Sequence, residues 1–243
     1  MISVCMATYQ GEKYIVEQIA SILSQLSLED ELIISDDHST DQTVNLAMSF
    51  ADTRIKVIFN PGPRGYTRNF EHALMNARGE LILLADQDDV WRGDKVEVMS
   101  AALGSHDLVV SDATHVDEQL QVTRGSHFRL CNMRSGFLRQ WVKPCYIGAC
   151  MGFRREVLAF ALPFPGQASY CAHDYWLTLI GEACFRLGLV DRELILFRRH
   201  GANTSPTAKR SPNSLPKKVL IRGYSLSCLA LRIARRFRVQ SVR

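Results

Sequence analysis

Two runs of carboxylates carry the first chemical signal in this chain: Asp36-Asp37 and Asp86-Gln87-Asp88-Asp89, each directly after a short apolar run. Acids packed that closely repel and raise one another's pKa, so a bound cation is the physical expectation. Oxygen ligands favour Mg²⁺ or Mn²⁺. Each acid group alone could equally cap a helix, where Asp accepts hydrogen bonds from free N–H groups. Two clusters behind different strands of one sheet are harder to explain by capping. The first apolar run is followed by Ala7-Thr8-Tyr9-Gln10-Gly11, which has neither the G-x-G-x-x-G nor the Walker spacing. That disfavours an NAD enzyme or a P-loop ATPase. Cys145, Cys150, Cys171 and His173 have C-x4-C and C-x-H spacings that fit a structural zinc site poorly.

For the acids to converge, the runs before them must be strands whose carboxyl ends share one edge, where ligands of doubly wound sheets bind. Apolar runs at 2–7, 31–35, 55–59, 80–85 and 107–111 read as those strands. Ile15, Ile19, Ile22, Leu23 and Leu26 form a helical stripe between the first two. Ser39-Thr40-Asp41-Gln42 has the form of a capping box and would start the next helix. Strand and helix alternating in this way predict an α/β fold with a mostly parallel sheet, helices on both faces and right-handed crossovers. After residue 112 the rhythm breaks. A polar stretch over 112–145 precedes a strand at 147–153, a short helix at 156–162 ended by Pro163, a helix at 173–187 and a strand at 189–197. Pro206, Pro212 and Pro216 mark a linker before a basic amphipathic helix at 217–239. The expected organisation is one domain over 1–205, divided into halves at 1–111 and 112–205, with 206–243 as a C-terminal appendage.

The length of 243 residues, with 47% hydrophobic and 22% charged residues, suits one folded domain rather than a disordered or coiled-coil chain. The net charge of +4 conceals a division. Residues 1–193 carry 17 Lys and Arg against all 25 Asp and Glu, whereas 194–243 carry 12 basic residues and no acid. Seven cysteines without a C-x-x-C suggest neither a disulfide framework nor a zinc ribbon. No run is long enough to span a bilayer and no secretory signal precedes the first strand, so a cytoplasmic location is expected.

Three segments in order, Val4-Cys5-Met6-Ala7-Thr8-Tyr9-Gln10-Gly11, Ile34-Ser35-Asp36-Asp37-His38-Ser39-Thr40-Asp41 and Leu84-Ala85-Asp86-Gln87-Asp88-Asp89-Val90-Trp91, resemble the signatures of family 2 glycosyltransferases with the GT-A fold. The resemblance continues through Arg64 to Phe70, His173-Asp174-Tyr175-Trp176 and Arg199-His200-Gly201-Ala202-Asn203-Thr204, about 205 residues in all. The wording of the Asp-Gln-Asp-Asp and His-Asp-Tyr-Trp segments is similar to bacterial rhamnosyltransferase-like enzymes that build surface polysaccharides.

The resemblance implies roles for individual residues. Thr8, Tyr9 and Asp37 would hold the nucleotide base of a UDP- or dTDP-sugar, with Asp36 supporting that loop and Asp86 near the ribose. Asp88 would ligate Mn²⁺ or Mg²⁺ bridging the diphosphate, with Asp89 a helper at most and His200 touching metal or diphosphate. A lone surface His is the plainer account of His200. Arg68, Asn69 and Arg199 would position the donor, and Arg198 with Arg199 would neutralise the diphosphate, although a solvated basic loop explains one of the two equally well. An inverting transfer needs a base beside the acceptor hydroxyl, and Asp174 is assigned to it. The family commonly has Glu-Asp there, so His173 departs from the pattern. A helix N-cap is the rival role for Asp174. The segment 146–153 corresponds to an acceptor-side loop whose small residues let a sugar approach, with core packing as an equal explanation.

The basic tail suits an anionic membrane surface, because relatives act on lipid-linked acceptors at the inner face of a membrane. A helix docked on the catalytic domain explains it equally. Two other classes compete. Acid pairs that bind Mg²⁺ also occur in phosphoryl-accepting signalling domains, but those are about half this size. A nucleic-acid binder could use the tail, yet the acidic body would repel phosphates, so no nucleic-acid partner is expected.

Overall fold

A computed structural model describes residues 1–201 and 213–240, with side chains placed through 236. The chain runs β1 (Ile2–Thr8), α1 (Ile15–Leu23), β2 (Glu31–Asp36), α2 (Thr43–Met48), β3 (Ile55–Phe59), α3 (Tyr66–Met75), β4 (Leu81–Asp86), β5 (Val90–Trp91) and α4 (Lys95–Ala102). It continues through β6 (Leu108–Val116), β7 (Val122–Ser126), α5 (His127–Cys131), α6 (Phe137–Val142), β8 (Met151–Arg154) and α7 (Arg155–Ala161). The last elements are α8 (His173–Cys184), β9 (Leu187–Arg198) and α9 (Leu215–Gln240).

These strands form one sheet in the order β3-β2-β1-β4-β8-β6-β9-β5, with β7 beside β6. The ladders β3-β2, β2-β1 and β1-β4 are parallel, so Thr8, Asp36 and Asp86 end at one edge, as the alternating pattern requires. In the second half β6 and β9 are parallel, while β8 runs antiparallel between β4 and β6. Ile15, Ile19 and Ile22 put the stripe of α1 into the core at 0% exposure, worth roughly 1.5–3 kcal/mol for each side chain.

Several boundaries differ from the sequence reading. Ser39 does not cap α2, which follows Gln42 without a side-chain cap. Its N–H and Oγ instead donate to Asp36, both at 2.7 Å. Residues 148–150 make a 3-10 turn and β8 begins at Met151. Helix α8 stops at Cys184 because Leu187 already pairs with Leu108 in the sheet. Pro216 lies inside the first turn of α9, not in a linker, a position that costs no hydrogen bond. Pro206 and Pro212 lie outside the described residues.

The C-terminal helix is not a separate appendage. Ile221, Ser225 and Leu229 are buried against the domain. Trp141 Nε1 donates to the Arg222 carbonyl at 3.1 Å, and Arg232 donates to the carbonyls of Phe160, Leu162 and Pro163.

Strand β6 extends five residues past its expected end, to a wholly buried Val116. Its polar residues are matched inside. Asp112 accepts from the Ser126 hydroxyl and the Phe128 N–H, and His115 Nε2 meets His127 Nδ1 at 3.0 Å. Burial, followed by repulsion from His127, Arg199 and Arg124, pushes the His115 pKa down to about 4. An unfolded His titrates near 6.5. Between those values the unfolded chain holds the extra proton, so stability falls as pH falls through this window, by about 3 kcal/mol at pH 4. His115→Leu should therefore narrow the gap in melting temperature between about pH 7 and pH 4. A gap as wide as that of the wild type would remove His115 as its source.

Candidate functional site

The carboxyl ends of β1, β2 and β4 open onto a cleft of about 1930 Å³ that reaches across to α8 and the end of β9. Its first wall is a set of backbone ties. Thr8 Oγ1 donates to Asp36 Oδ2 at 2.8 Å, while the Thr8 carbonyl accepts from the Asp37 N–H at 2.9 Å and from Asn69 Nδ2 at 3.0 Å. Asp36 is fully buried behind the wall, where an acid can remain because three donors reach it. Asp37 lines the cleft, its two oxygens taken by Asn60 Nδ2 at 2.9 Å and by the Gly65 N–H at 2.7 Å. Gly65 has φ 134°, a conformation open to glycine, and so can aim that N–H. Tyr9 projects a ring that is 49% exposed, with the Arg64 guanidinium 5.7 Å from its centre. Gln87 clamps the Tyr9 backbone, accepting from its N–H at 2.8 Å and donating to its carbonyl at 2.9 Å.

Neither acid cluster is explained by capping. Helix α4 begins after Asp94, well past Asp89, and α2 begins six residues after Asp37. Asp86 and Asp88 line the cleft, and Asp89 is buried beneath them at 1% exposure. Burial, then the charges of Asp88 and Asp174, pushes the Asp86 pKa up to about 7. The same burial, with Asp88 and Asp86 beside it, holds Asp89 far above the usual carboxylate range. One buried cation offsets this charge. Lys95 is 0% exposed, donates to the Ala149 carbonyl at 2.7 Å and sits 4.1 Å from the Trp91 ring centre. Burial lowers its own pKa to about 8.

His200 arrives from the end of β9 with Nε2 2.8 Å from Asp88 Oδ2 and its ring stacked on Tyr14 at 4.8 Å. It is not a lone surface His. A carboxylate oxygen and an imidazole nitrogen converging on the cleft form a donor pair suited to Mn²⁺ and acceptable to Mg²⁺. Among the described residues no group of three His, Cys, Asp or Glu is placed to hold a metal. A cation here would take its remaining ligands from a bound diphosphate and water.

Asp174 stands across the cleft in the first turn of α8. It is not the N-cap, a position held by Ala172. Its Oδ1 accepts from the Tyr175 N–H at 2.7 Å. Arg199 lines the cleft with its guanidinium 5.5 Å from the Phe197 ring centre. Asn69 also lines it, and its Oδ1 is buried without a partner among the described residues.

Arg68 is a correction. It pairs with Glu71 and donates to the carbonyls of Pro165 and Gly166, so it fastens α3 to that loop and does not face the cleft. Arg198 is likewise a buried strut, reaching the Asp88 carbonyl at 2.8 Å and pairing with Glu17. Of the small residues of 146–153, Gly152 serves packing, since a Cβ there would lie 2.5 Å from Leu83, whereas Gly148 lines the cleft, where a Cβ would lie 2.8 Å from His173 Nε2. Sequence reasoning missed Gln87, Asn60 and Lys95. Gln87 lay inside a motif read for its acids, and nothing local marks Lys95 as buried.

Residues 3–160 match the family model for glycosyl transferase family 2. The chain is 35% identical over 98 residues to the UDP-Glc:alpha-D-GlcNAc-diphosphoundecaprenol beta-1,3-glucosyltransferase WfgD of Escherichia coli, covering 40% of this chain and 39% of that protein. It is 37% identical over 100 residues to the dTDP-rhamnosyl transferase RfbG of Shigella flexneri, covering 38% and 34%. The chain thus spans well under half the length of either relative. Residues 1–349 of S. aureus TarS in complex with UDP-GlcNAc superimpose with a TM-score of 0.71 at 21% identity, over 92% of this chain and 66% of that one. Glucosyl-3-phosphoglycerate synthase from Mycobacterium tuberculosis, in complex with Mn²⁺, UDP and glucosyl-3-phosphoglycerate, does so with a TM-score of 0.59 at 20% identity, over 96% and 79%. These structures share the fold, and the family model spans Thr8 and Asp86 at the ends of β1 and β4 and Asp37 and Asp88 just beyond β2 and β4. The chain belongs to glycosyl transferase family 2.

Proposed function

We propose that this chain transfers a sugar, with inversion, from a UDP- or dTDP-linked donor to a saccharide acceptor, and that the acceptor is lipid-linked and serves surface polysaccharide synthesis. The observation that carries the reading is the meeting of Asp37, Asp86, the Asp88–His200 pair and Asp174 around one cleft, from separate strand and helix ends. The half-exposed Tyr9 ring offers a stacking face for the base, and Asp37 a carboxylate for the pyrimidine N3–H. Asp86 faces the ribose. Asp88 and His200 would hold Mn²⁺ or Mg²⁺, with Asn69 and Arg199 orienting the diphosphate. A metal at that pair would act as a Lewis acid toward the departing nucleoside diphosphate. Asp174 takes the proton of the acceptor hydroxyl as that oxygen attacks the anomeric carbon from the opposite face. A rhamnosyl donor draws support from the likeness to RfbG, and a lipid diphosphate acceptor from the likeness to WfgD. A panel of UDP-, dTDP- and GDP-sugars with Mn²⁺ or Mg²⁺, followed for release of nucleoside diphosphate, tests this. Absence of release from every donor, with and without saccharides, would sink the proposal.

We also propose peripheral attachment to the cytoplasmic face of a membrane. No helix among the described residues is long and apolar enough to cross one. The support is α9 itself, where Val219, Leu220 and Leu231 stand exposed and Lys217 and Lys218 are exposed near its start. Each basic residue at an anionic surface adds up to about 1 kcal/mol. Removing α9 would uncover core, so the informative variant changes only its outer face. Leu220→Ser with Leu231→Ser should abolish co-sedimentation with phosphatidylglycerol vesicles at low salt and leave the melting temperature within a few degrees. Equal sedimentation of variant and wild type would count against this surface.

A further inference from the structure

His173 is a buried polar group that the fold does not use. It is 5% exposed, and among the described residues neither Nδ1 nor Nε2 has a hydrogen-bond partner. Leaving such a group unpaired costs about 1–3 kcal/mol, whereas an apolar replacement of the same shape is neutral or stabilising. Packing alone therefore favours Phe here: the ring stacks on Phe70 at 4.2 Å and 26°, with Tyr66 edge-on at 5.8 Å. The position nevertheless carries an imidazole, on the wall of the cleft and directly before Asp174. Gly148 is bare where any side chain would strike Nε2, so two positions are committed to keeping this ring in place.

We propose that His173 is a saccharide-binding residue, its imidazole pairing with a hydroxyl of the acceptor sugar and holding that sugar against Asp174. The proposal rests on the transferase reading given above. A neutral imidazole carries one donor and one acceptor nitrogen, which matches a sugar hydroxyl that both donates and accepts. Burial keeps His173 in that neutral form by lowering its pKa, against a smaller opposing effect of Asp174. Both nitrogens are covered, so engagement requires a neighbour to give way. Tyr66 is the candidate, at the start of α3 with 49% of its surface exposed. The pairing sets which hydroxyl pattern is accepted, because a sugar without a hydroxyl at that point leaves the imidazole unpaired.

The test uses the full chain with ¹⁵N-labelled histidine, saturated with Mg²⁺ and UDP or dTDP. Methyl glycosides of glucose, galactose, mannose, rhamnose and N-acetylglucosamine are titrated in, and the His173 ring signals are assigned by their loss in His173→Phe. At least one glycoside should shift both ring nitrogens saturably. His173→Phe should bind that glycoside about 10-fold or more weakly, melt no lower than the wild type and keep its nucleotide affinity within about two-fold, with partial rescue in His173→Gln. No saturable shift with any glycoside, or equal affinity in the Phe variant, overturns the proposal. If His173→Phe does not fold, the ring signals are assigned by their loss in His173→Gln and the wild-type titration decides. Failure of the wild type to bind either nucleotide would instead overturn the transferase reading.

Discussion

Asp174→Asn is expected to lower sugar transfer by about 10² to 10⁴-fold while donor binding survives, the range lost with a general base. Asn keeps the shape of the side chain, and its amide oxygen can still accept from the Tyr175 N–H that holds Oδ1 at 2.7 Å. What disappears is the basic carboxylate oxygen on the cleft. The substitution also removes one of the charges that raise the Asp86 pKa, so Asp86 ionises more readily in the variant. Donor affinity should therefore hold or improve, and the loss should fall on turnover. Measuring kcat and donor KM separately with one nucleotide sugar decides it. Turnover near the wild-type value would take Asp174 out of the mechanism.

Asp88→Ala is expected to weaken metal-dependent nucleotide binding by about 10²-fold or more, since it removes one of the two protein donors proposed above. Its expected effect on stability has the opposite sign. Asp88 raises the pKa of both Asp86 and Asp89, a sign of repulsion within the ligand-free cluster. Deleting one charge relieves that repulsion, so the variant should melt at or above the wild-type temperature at neutral pH. Titration calorimetry with UDP and Mn²⁺, paired with a melting curve, separates the two effects. Wild-type affinity in Asp88→Ala would show that the cation lies elsewhere, and affinity and melting temperature falling together would indicate damage to the fold.

The donor side was legible because its signals are local. Apolar runs alternate with helical stripes, and each acid cluster sits one step beyond a strand, so a parallel sheet brings the clusters to one edge without further information. The acceptor side was less so, for a physical reason. Asp112, Thr114 and His115 fall in what reads only as a polar stretch but are buried in a strand, because Ser126, His127 and Glu193 match them. Such partners are 12 to 79 residues away in sequence, and no window shows them. Ser39 and Arg68 failed differently. Each had a plausible local role, a cap and a phosphate contact, and a nearer polar partner took the side chain instead.

The antiparallel insertion of β8 between β4 and β6 bears on how this molecule can move. Proteins that close on two substrates by a hinge keep their lobes on separate cores, joined by a few residues that absorb the rotation. Here the strand that delivers Asp86 is hydrogen-bonded to β8, β8 to β6, and β6 to the strand that delivers His200. A rotation between the two sides would have to break those ladders together, near the full cost of unfolding. Among the described residues, access to the cleft therefore falls to what lies above the sheet, including the Tyr9–Gln87 clamp, the turn at Gly65 and the Tyr66 ring. The sheet is a fixed jig, and its two ends keep their separation through every turnover.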